Sequence, residues 1–583
     1  MKLSYKNKRD QKNKLLWFKA YELNFEIVEE AKKILFENIQ IDNYPFFKIN
    51  KLYVSYLEKT LFYKFLDISH KIIIYNFDNK KKENKIILTS SEYIPVDLLN
   101  QSLIKLNLNF IIKNTFNNII KNIFKNFFIF FIEKFYKKIF FEKKILIKEN
   151  CKNKNINIGV NYSDGIDANK RSDLFFYNKD KLKKNIIIYF EYPSLKTKHT
   201  SKIKLNEKLN NLSIRSIDLW KWKQSKIYYE FKRKTEKRNK INIWLYFEIL
   251  KLYRQLNYWQ NFFLDYNIKI HLDPSEYGNT NIAKQIVIEN INGLSIGKLR
   301  SYPTNLKGIF YQYYPNDVFF TWGNDSAKKI KKTKNNIKNV ILSGYPYNIN
   351  ENNLADYINK NFSNKIKYKL LLIDNNYGEN LSTSQNIYTN DIETFYTKLL
   401  DLCKQSPNVG LIIKPKRYNE FQKIKKIQSL VDDLINKKKC IVIKNAYQTQ
   451  TISYSIHSDI SIGIGVFASS AFLESIIYKK GIYYDYGNAY LEDDILEKGR
   501  NEIIFDNLNL LIEKLKFNIE NNFINKDFGN WDNYINNIEK FRDKLGNKRI
   551  GEYINDVKEK LDNNNSVEKS IELANQKYIK KWY

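Results

Sequence analysis

From Asn339 onward the chain switches repeatedly between short, continuous apolar runs and longer stretches whose apolar residues recur at three- and four-residue spacing. The runs are NVILSGYP, YKLLLIDNN, NVGLIIKPK, CIVIKN, DISIGIG and GIYYDYG; DIETFYTKLLDLCKQ, FQKIKKIQSLVDDLINK and SAFLESIIYKK lie between them. A run that is apolar at every position must be buried on both faces, which is the signature of a strand in a parallel sheet. Parallel neighbours cannot be joined by a tight hairpin, so the intervening helices have to cross the sheet and cover it. No other feature of the sequence restricts the fold as much.

The same pattern occurs between residues 155 and 325, where INIGVNY, NIIIYFEY, IKIHLD, GLSIGKL and DVFFTW predict strands and NIAKQIVIENI a helix. Two successive α/β units predict two Rossmann-like domains facing a cleft, residues 151–325 and 326–530, with NVILSGYP opening the second. Residues 1–150 read as mostly helical: YELNFEIVEEAKKILFENI has helical spacing, and Leu103 to Phe141 alternates Ile/Phe clusters with Lys. Residues 531–583 read as a helical, charged tail. A chain of 583 residues exceeds a single core, and 43% hydrophobic residues suffice for globular order.

A formal net charge of +35 would attract polyanions such as nucleic acid, anionic headgroups or nucleotide phosphates. The charge is spread along the chain with no zinc-finger spacing and no basic helix leading into heptads, so nucleic-acid binding is not the favoured reading. Its local maximum is residues 101–150, with 10 Lys against 3 Glu. That stretch is either an ordinary helix with a wet Lys face or a basic surface resting on an anionic membrane. The most apolar stretch, Phe127 to Ile132, is bounded by Lys125, Glu133 and Lys134, well short of the roughly 20 residues that span a bilayer. No apolar signal core follows the basic N-terminus. Cys151, Cys403 and Cys440 form no CxxC pair, which points to a reducing, cytoplasmic setting. His70, His199, His271 and His457 form no HxxxH or HExxH pair, so no metal site is expected.

Ligands of open parallel sheets bind beyond the C-terminal strand ends, and the loops there hold the candidate residues. The run Ile460 to Ile464 passes through Gly465 into Val466, Phe467, Ala468, Ser469 and Ser470, and then into a helix carrying Glu474. Free N–H groups at such a helix start attract a diphosphate, and a carboxylate one turn on can accept ribose hydroxyls. The alternative is that Ser469 and Ser470 only cap the helix and Glu474 only balances its dipole. Lys414 and Lys416, directly after a strand, either neutralise a nucleotide diphosphate or are solvated. Gly344 and Tyr345 either face a base or make a turn. An acceptor hydroxyl needs a general base from the first unit. Asp273 and Glu276 in IHLDPSEYGN are the preferred candidates, with Asp164, Asp167 and Asp173, near Arg171, as alternatives.

The segment SIGIGVFASSAFLE followed by IYYDY resembles the loop of bacterial surface-polysaccharide biosynthesis proteins that carry a Pro-Phe-Thr-Ser motif before a helix and a Tyr-Tyr-Asp strand. Phe467 and Ser469 match the motif, whereas Val466 and Ala468 depart from it. GIDANKRSDLFFY, NGLSIGKLRS, DVFFTWG, VILSGYP, LLLIDNN, GLIIKPK and FRDKLGNKRIGEYI extend the likeness in order over residues 160 to 555. The resemblance implies a GT-B-like, metal-independent glycosyltransferase serving capsule, O-antigen or a similar glycan. Its donor would be a nucleotide sugar, its acceptor a glycan or lipid-linked glycan, and no separate cofactor would be needed. A nucleotide-sugar epimerase or polyol-phosphate transferase on the same fold, and a non-catalytic basic binding protein of the assembly machinery, are the alternatives. If the Lys-rich stretch from 105 to 148 touches a membrane, the attachment is electrostatic, with a Debye length of roughly 3 Å at 1 M salt. A 1 M salt wash should therefore release the protein from the membrane pellet, and retention after the wash would contradict a peripheral attachment.

Overall fold

The computed structural model describes residues 16–38, 51–78, 86–90, 93–120, 156–161, 186–190, 213–216, 240–273, 278–300, 302–303, 312–347, 349, 354–378, 387–444, 450–465, 470–487 and 499–583. Its centre is two large, entirely parallel sheets. The first has seven strands, β3 (Asn157–Asn161), β4 (Ile186–Phe190), β5 (Ser213–Ser216), β6 (Ile268–Leu272), β7 (Leu294–Lys298), β8 (Val318–Thr321) and β9 (Asn339–Leu342), in the order β5-β4-β3-β6-β7-β8-β9. The second has six, β10 (Tyr368–Ile373), β13 (Val409–Lys414), β14 (Cys440–Val442), β15 (Ile460–Gly465), β16 (Lys480–Asp485) and β17 (Ile504–Phe505), in the order β14-β13-β10-β15-β16-β17. Short strands β11 (Tyr377–Gly378) and β12 (Ile387–Tyr388) pair with each other. Every position of β7, β8, β13 and β15 is buried, as the uninterrupted apolar runs require.

The two-sheet reading of the sequence holds, with one correction. NVILSGYP, expected to open the second unit, is β9 and pairs with β8 from Val318↔Asn339 to Thr321↔Leu342. The helix Asn324–Lys331 makes the crossover between them, so β8, this helix and β9 form one compact βαβ unit of the first sheet. An all-apolar strand carries no mark of which sheet it joins.

Residues before the first sheet form the long helices Trp17–Asn38 and Lys51–Asp78, then β1 (Ile86–Ser90), the helix Val96–Lys105 and β2 (Phe110–Asn114). Asn24, buried between the two long helices, donates to the Phe62 carbonyl at 3.0 Å and accepts from the Ser69 hydroxyl at 2.9 Å. The region is mostly helical as expected, but the stretch read as helical from Leu103 leaves the helix at Lys105. Phe110, Ile111 and Ile112 pair in parallel with β1 instead, because cross-strand pairing outweighs local helical spacing. Residues 121–150, which hold most of the Lys-rich stretch, lie outside the described residues. Asn336 reaches Ser55 at 2.9 Å and Asn279 reaches Thr60 at 2.8 Å, tying the leading helices to the first sheet's connections. No helix among the described residues is long and apolar enough to cross a membrane.

The tail is helical as read, with helices Asp532–Ile538, Gly546–Asp562 and Val567–Trp582. It returns to the edge of the first sheet, where the Tyr578 hydroxyl donates to the Leu342 carbonyl at 2.8 Å and Asn575 reaches Asn339 at 3.3 Å. Arg549, fully buried, donates to the Ser343 carbonyl at 2.8 Å and through both Nη atoms to Asp543 at 2.7 Å, while its guanidinium lies 3.7 Å from the Phe541 ring centre. Glu539 accepts the Tyr345 N–H at 3.0 Å. Gly344, between these anchors, has φ of 76°, and a Cβ there would overlap Glu539 Oε1. Only glycine satisfies both conditions. Gly344→Ala should therefore destabilise the fold by about 1–3 kcal/mol. A thermal-denaturation midpoint equal to that of the parent protein would sink this assignment.

Candidate functional site

In each large sheet the strand order reverses once. The chain runs outward from β3 through β4 to β5 and returns to the other side of β3 with β6; likewise it runs from β10 through β13 to β14 and returns beside β10 with β15. Connections on the two sides of such a point leave in opposite directions, so a crevice opens beyond the strand ends there. Both reversals carry polar side chains directly after the apolar runs.

At the first reversal Asp273 follows β6 and Asn161 ends β3. Asn161 donates to Asp273 Oδ1 at 3.1 Å, and Lys284, from the helix Thr280–Asn290, donates to Oδ2 at 2.7 Å. Both charged side chains are buried, and the Lys284 ammonium lies 4.7 Å from the Trp259 ring centre. Next to them the Tyr189 hydroxyl hydrogen-bonds His271 Nε2, and the two rings stack 5.9 Å apart. Burial pushes the His271 imidazole down to about 3, with a smaller opposing pull from Asp273 and a further downward push from Lys284. Asp273 thus stands where the sequence placed it, in a closed ion pair rather than on an open wall. Glu276, Asp164, Asp167 and Asp173 lie outside the described residues.

At the second reversal Asp374 and Asn375 follow β10, and Lys414 and Lys416 stand at the end of β13, with Ile373 and Lys414 in register. Asp374 Oδ2 accepts from the Tyr396 hydroxyl at 3.0 Å, and Oδ1 accepts the Lys416 backbone N–H. The Lys416 ammonium donates to Asn375 Oδ1 at 2.9 Å. Burial raises the Asp374 carboxyl to about 6, against the opposing pull of the Lys416 N–H, the Tyr396 hydroxyl and the charges of Lys416 and Lys414. Asp374, Asn375 and Tyr396 were not singled out from sequence. The polar DNN directly after an apolar run was a usable signal for the first two; Tyr396, in the middle of the helix Thr389–Gln405, gives none.

Beside β10, Gly465 ends β15, and its carbonyl accepts the Tyr486 N–H at 3.0 Å. Ser470 begins the helix Ser470–Ser475, and its hydroxyl oxygen accepts the Tyr302 backbone N–H at 2.8 Å. Tyr302 belongs to the loop after β7, so the C-terminal ends of the two sheets meet at Ser470. Glu474 is buried, at 2% exposure. Val466 to Ser469, the motif loop itself, lies outside the described residues. The structure therefore brings Lys414, Lys416 and the β15 end to one sheet reversal and places Gly344 apart, under the tail. Cys403 and Cys440 are free and buried. Among the described residues, no three His, Cys, Asp or Glu side chains converge as a metal site would require.

The segment with this geometry is also the one that matches a known family: residues 372–507 match the family described as polysaccharide biosynthesis PFTS motif proteins. The match covers 136 of the 583 residues. The match runs from the end of β10 to just past β17, and so contains Asp374, Lys416, Gly465 and Glu474. No curated protein sequence matches the chain. Solved structures with a similar course include a Listeria monocytogenes protein assigned as UDP-N-acetylglucosamine 2-epimerase, with TM-score 0.42, 10% identity, and 69% of this chain and 96% of that one covered. HepE from Anabaena, crystallised with UDP and glucose, has TM-score 0.38, 9% identity, and coverage of 69% and 99%. Sucrose-phosphate synthase from Thermosynechococcus elongatus has TM-score 0.34, 8% identity, and coverage of 65% and 96%.

Buried histidines and a buried carboxyl shift in opposite directions here, with a measurable result. His271 has a folded-state value below its ordinary 6.5, so the unfolded chain binds the proton better and stability is lost as pH falls through 6.5. His70, pushed down to about 4 by burial, acts with the same sign. Asp374 holds its proton better when folded than its ordinary 3.8 allows, so its contribution is present below about 4 and lost as pH rises through about 6. Asp374 therefore partly offsets the two histidines between pH 4 and 6. Asp374→Asn should lose more of its thermal midpoint between pH 7 and pH 5 than the parent loses; an equal or smaller loss would contradict the raised carboxyl.

Proposed function

We propose that the chain transfers a sugar from a nucleotide-activated donor to a glycan or lipid-linked acceptor in the assembly of a bacterial surface polysaccharide. The observation that carries this reading is the coincidence of the family match with the cationic strand ends at the second sheet reversal. In this reading Lys414 and Lys416 meet the charge that builds on a leaving nucleotide diphosphate, and a fixed cation stabilises that charge without a bound metal. Ser470, at the start of the helix after β15, and Glu474, a buried carboxylate one turn further on, complete the donor side in this reading.

The acceptor hydroxyl must lose a proton to a base on the side of the first sheet. Asp273 already accepts from Asn161 through Oδ1 and from Lys284 through Oδ2, so both of its oxygens are engaged. In this reading Asp273 fixes the end of β6, and the base role passes to Glu276. The donor-side domain is residues 326–530, less β9, and the acceptor side is residues 151–325 together with β9.

A thermal-shift screen against nucleotide sugars tests the reading. A ligand at one hundred times its dissociation constant should stabilise the fold by about 2.7 kcal/mol. Glu474→Gln should then weaken donor binding by about 1.5–3 kcal/mol if the carboxylate accepts ribose hydroxyls. Unchanged donor affinity would remove Glu474 from the site. A full panel without any shift would favour a non-catalytic binding protein, and release of free epimerised sugar without acceptor would favour an epimerase.

A further inference from the structure

The second sheet reversal contains a polar arrangement that the proposed chemistry has not used. Lys416 is the second residue beyond β13 and is exposed, and an untethered lysine there would sample many rotamers and lose that freedom on binding. This lysine is instead held at two points from the neighbouring strand end. Its backbone N–H is bound to Asp374 Oδ1, and its ammonium donates to Asn375 Oδ1 at 2.9 Å. Asp374 is itself fixed by the Tyr396 hydroxyl at 3.0 Å and is 2% exposed, and Asn375 is 6% exposed. Asn375 Oδ1 also accepts the Asn376 N–H at 2.9 Å, which orients the amide.

We infer that Asp374 and Asn375 are positioning residues that preset Lys416 for the diphosphate of the donor. The inference rests on the donor-site reading above and adds to it the source of the lysine's geometry. An ammonium has three N–H donors, and one is spent on Asn375. The carbonyl-type acceptor orients the ammonium without neutralising it, as a carboxylate in the same place would. Asp374 meanwhile contributes its charge to the backbone of the turn. The division matters because a cation held by fixed neighbours needs little reorganisation when phosphate arrives. Lys414, in register with Ile373, adds charge to the same strand ends.

The test is a double-mutant cycle read by calorimetric binding of UDP, GDP, ADP, CDP and dTDP to the full chain. Lys416→Met and Asn375→Ala should each weaken the best-binding nucleoside diphosphate about tenfold, and the double variant should bind no more weakly than Lys416→Met alone. Asp374→Asn, whose amide oxygen can still accept the Lys416 N–H, should retain most of the affinity, whereas Asp374→Ala should lose it. If Asp374→Ala does not fold, Asn375→Ala alone decides, since it leaves the backbone anchor intact. Additive losses in the cycle, or full affinity in Asn375→Ala, would overturn the positioning role while leaving the donor site standing. Parent protein that binds none of the five diphosphates would overturn both readings together.

Discussion

Every strand pair in the two large sheets is parallel, and that constraint governs the rest of the molecule. Parallel pairing forbids hairpins, so each connection must cross a face, and both faces must be apolar to receive it. Polar side chains are then confined to the strand ends. Where the strand order reverses, the connections diverge and cannot cover those ends. The two polar clusters, Asn161 with Asp273 and Asp374 with Lys416, are at the two reversals for this reason, and no separate device is needed to locate them.

The clusters differ in how far their charges are already satisfied. Around Asp273 the ion pair with Lys284 is buried on both sides and packed under Trp259. A pair of this kind adds little net stability, because desolvation offsets the attraction, but it resists the removal of either partner. Around Asp374 the charges of Lys416 and Lys414 act on one buried carboxylate, and the Lys416 ammonium is held by a neutral amide oxygen. The first arrangement suits a fixed wall. The second leaves its ammonium on a neutral acceptor.

Sequence reading recovered the parts that depend on periodicity. INIGVNY, IKIHLD, GLSIGKL, YKLLLIDNN, GLIIKPK and DISIGIG all became strands, since a run buried on both faces has few alternatives. It failed where the deciding contact lies far along the chain. NVILSGYP could not announce that Val318 and Asn339 are partners, and Gly344 read equally well as a ligand loop until Glu539 and Arg549 were placed against it. Lys414 and Lys416 were legible because they abut an apolar run. The groups that hold Lys416 come from a neighbouring strand end and from Tyr396 on a crossing helix, and register is not written in local pattern.

The covering of β9 by the tail has a consequence for the order of synthesis. β9 is the exposed edge of the first sheet until Tyr578 and Asn575 reach it, across a separation of 236 residues. An unpaired parallel edge is a template for association with other chains. At roughly 5–20 residues per second on the ribosome, the first sheet must wait on the order of tens of seconds between emergence of β9 and arrival of its cover. The nascent chain is therefore most exposed to misassembly while its second sheet is being made, and a chaperone that acts in that interval would be guarding the first.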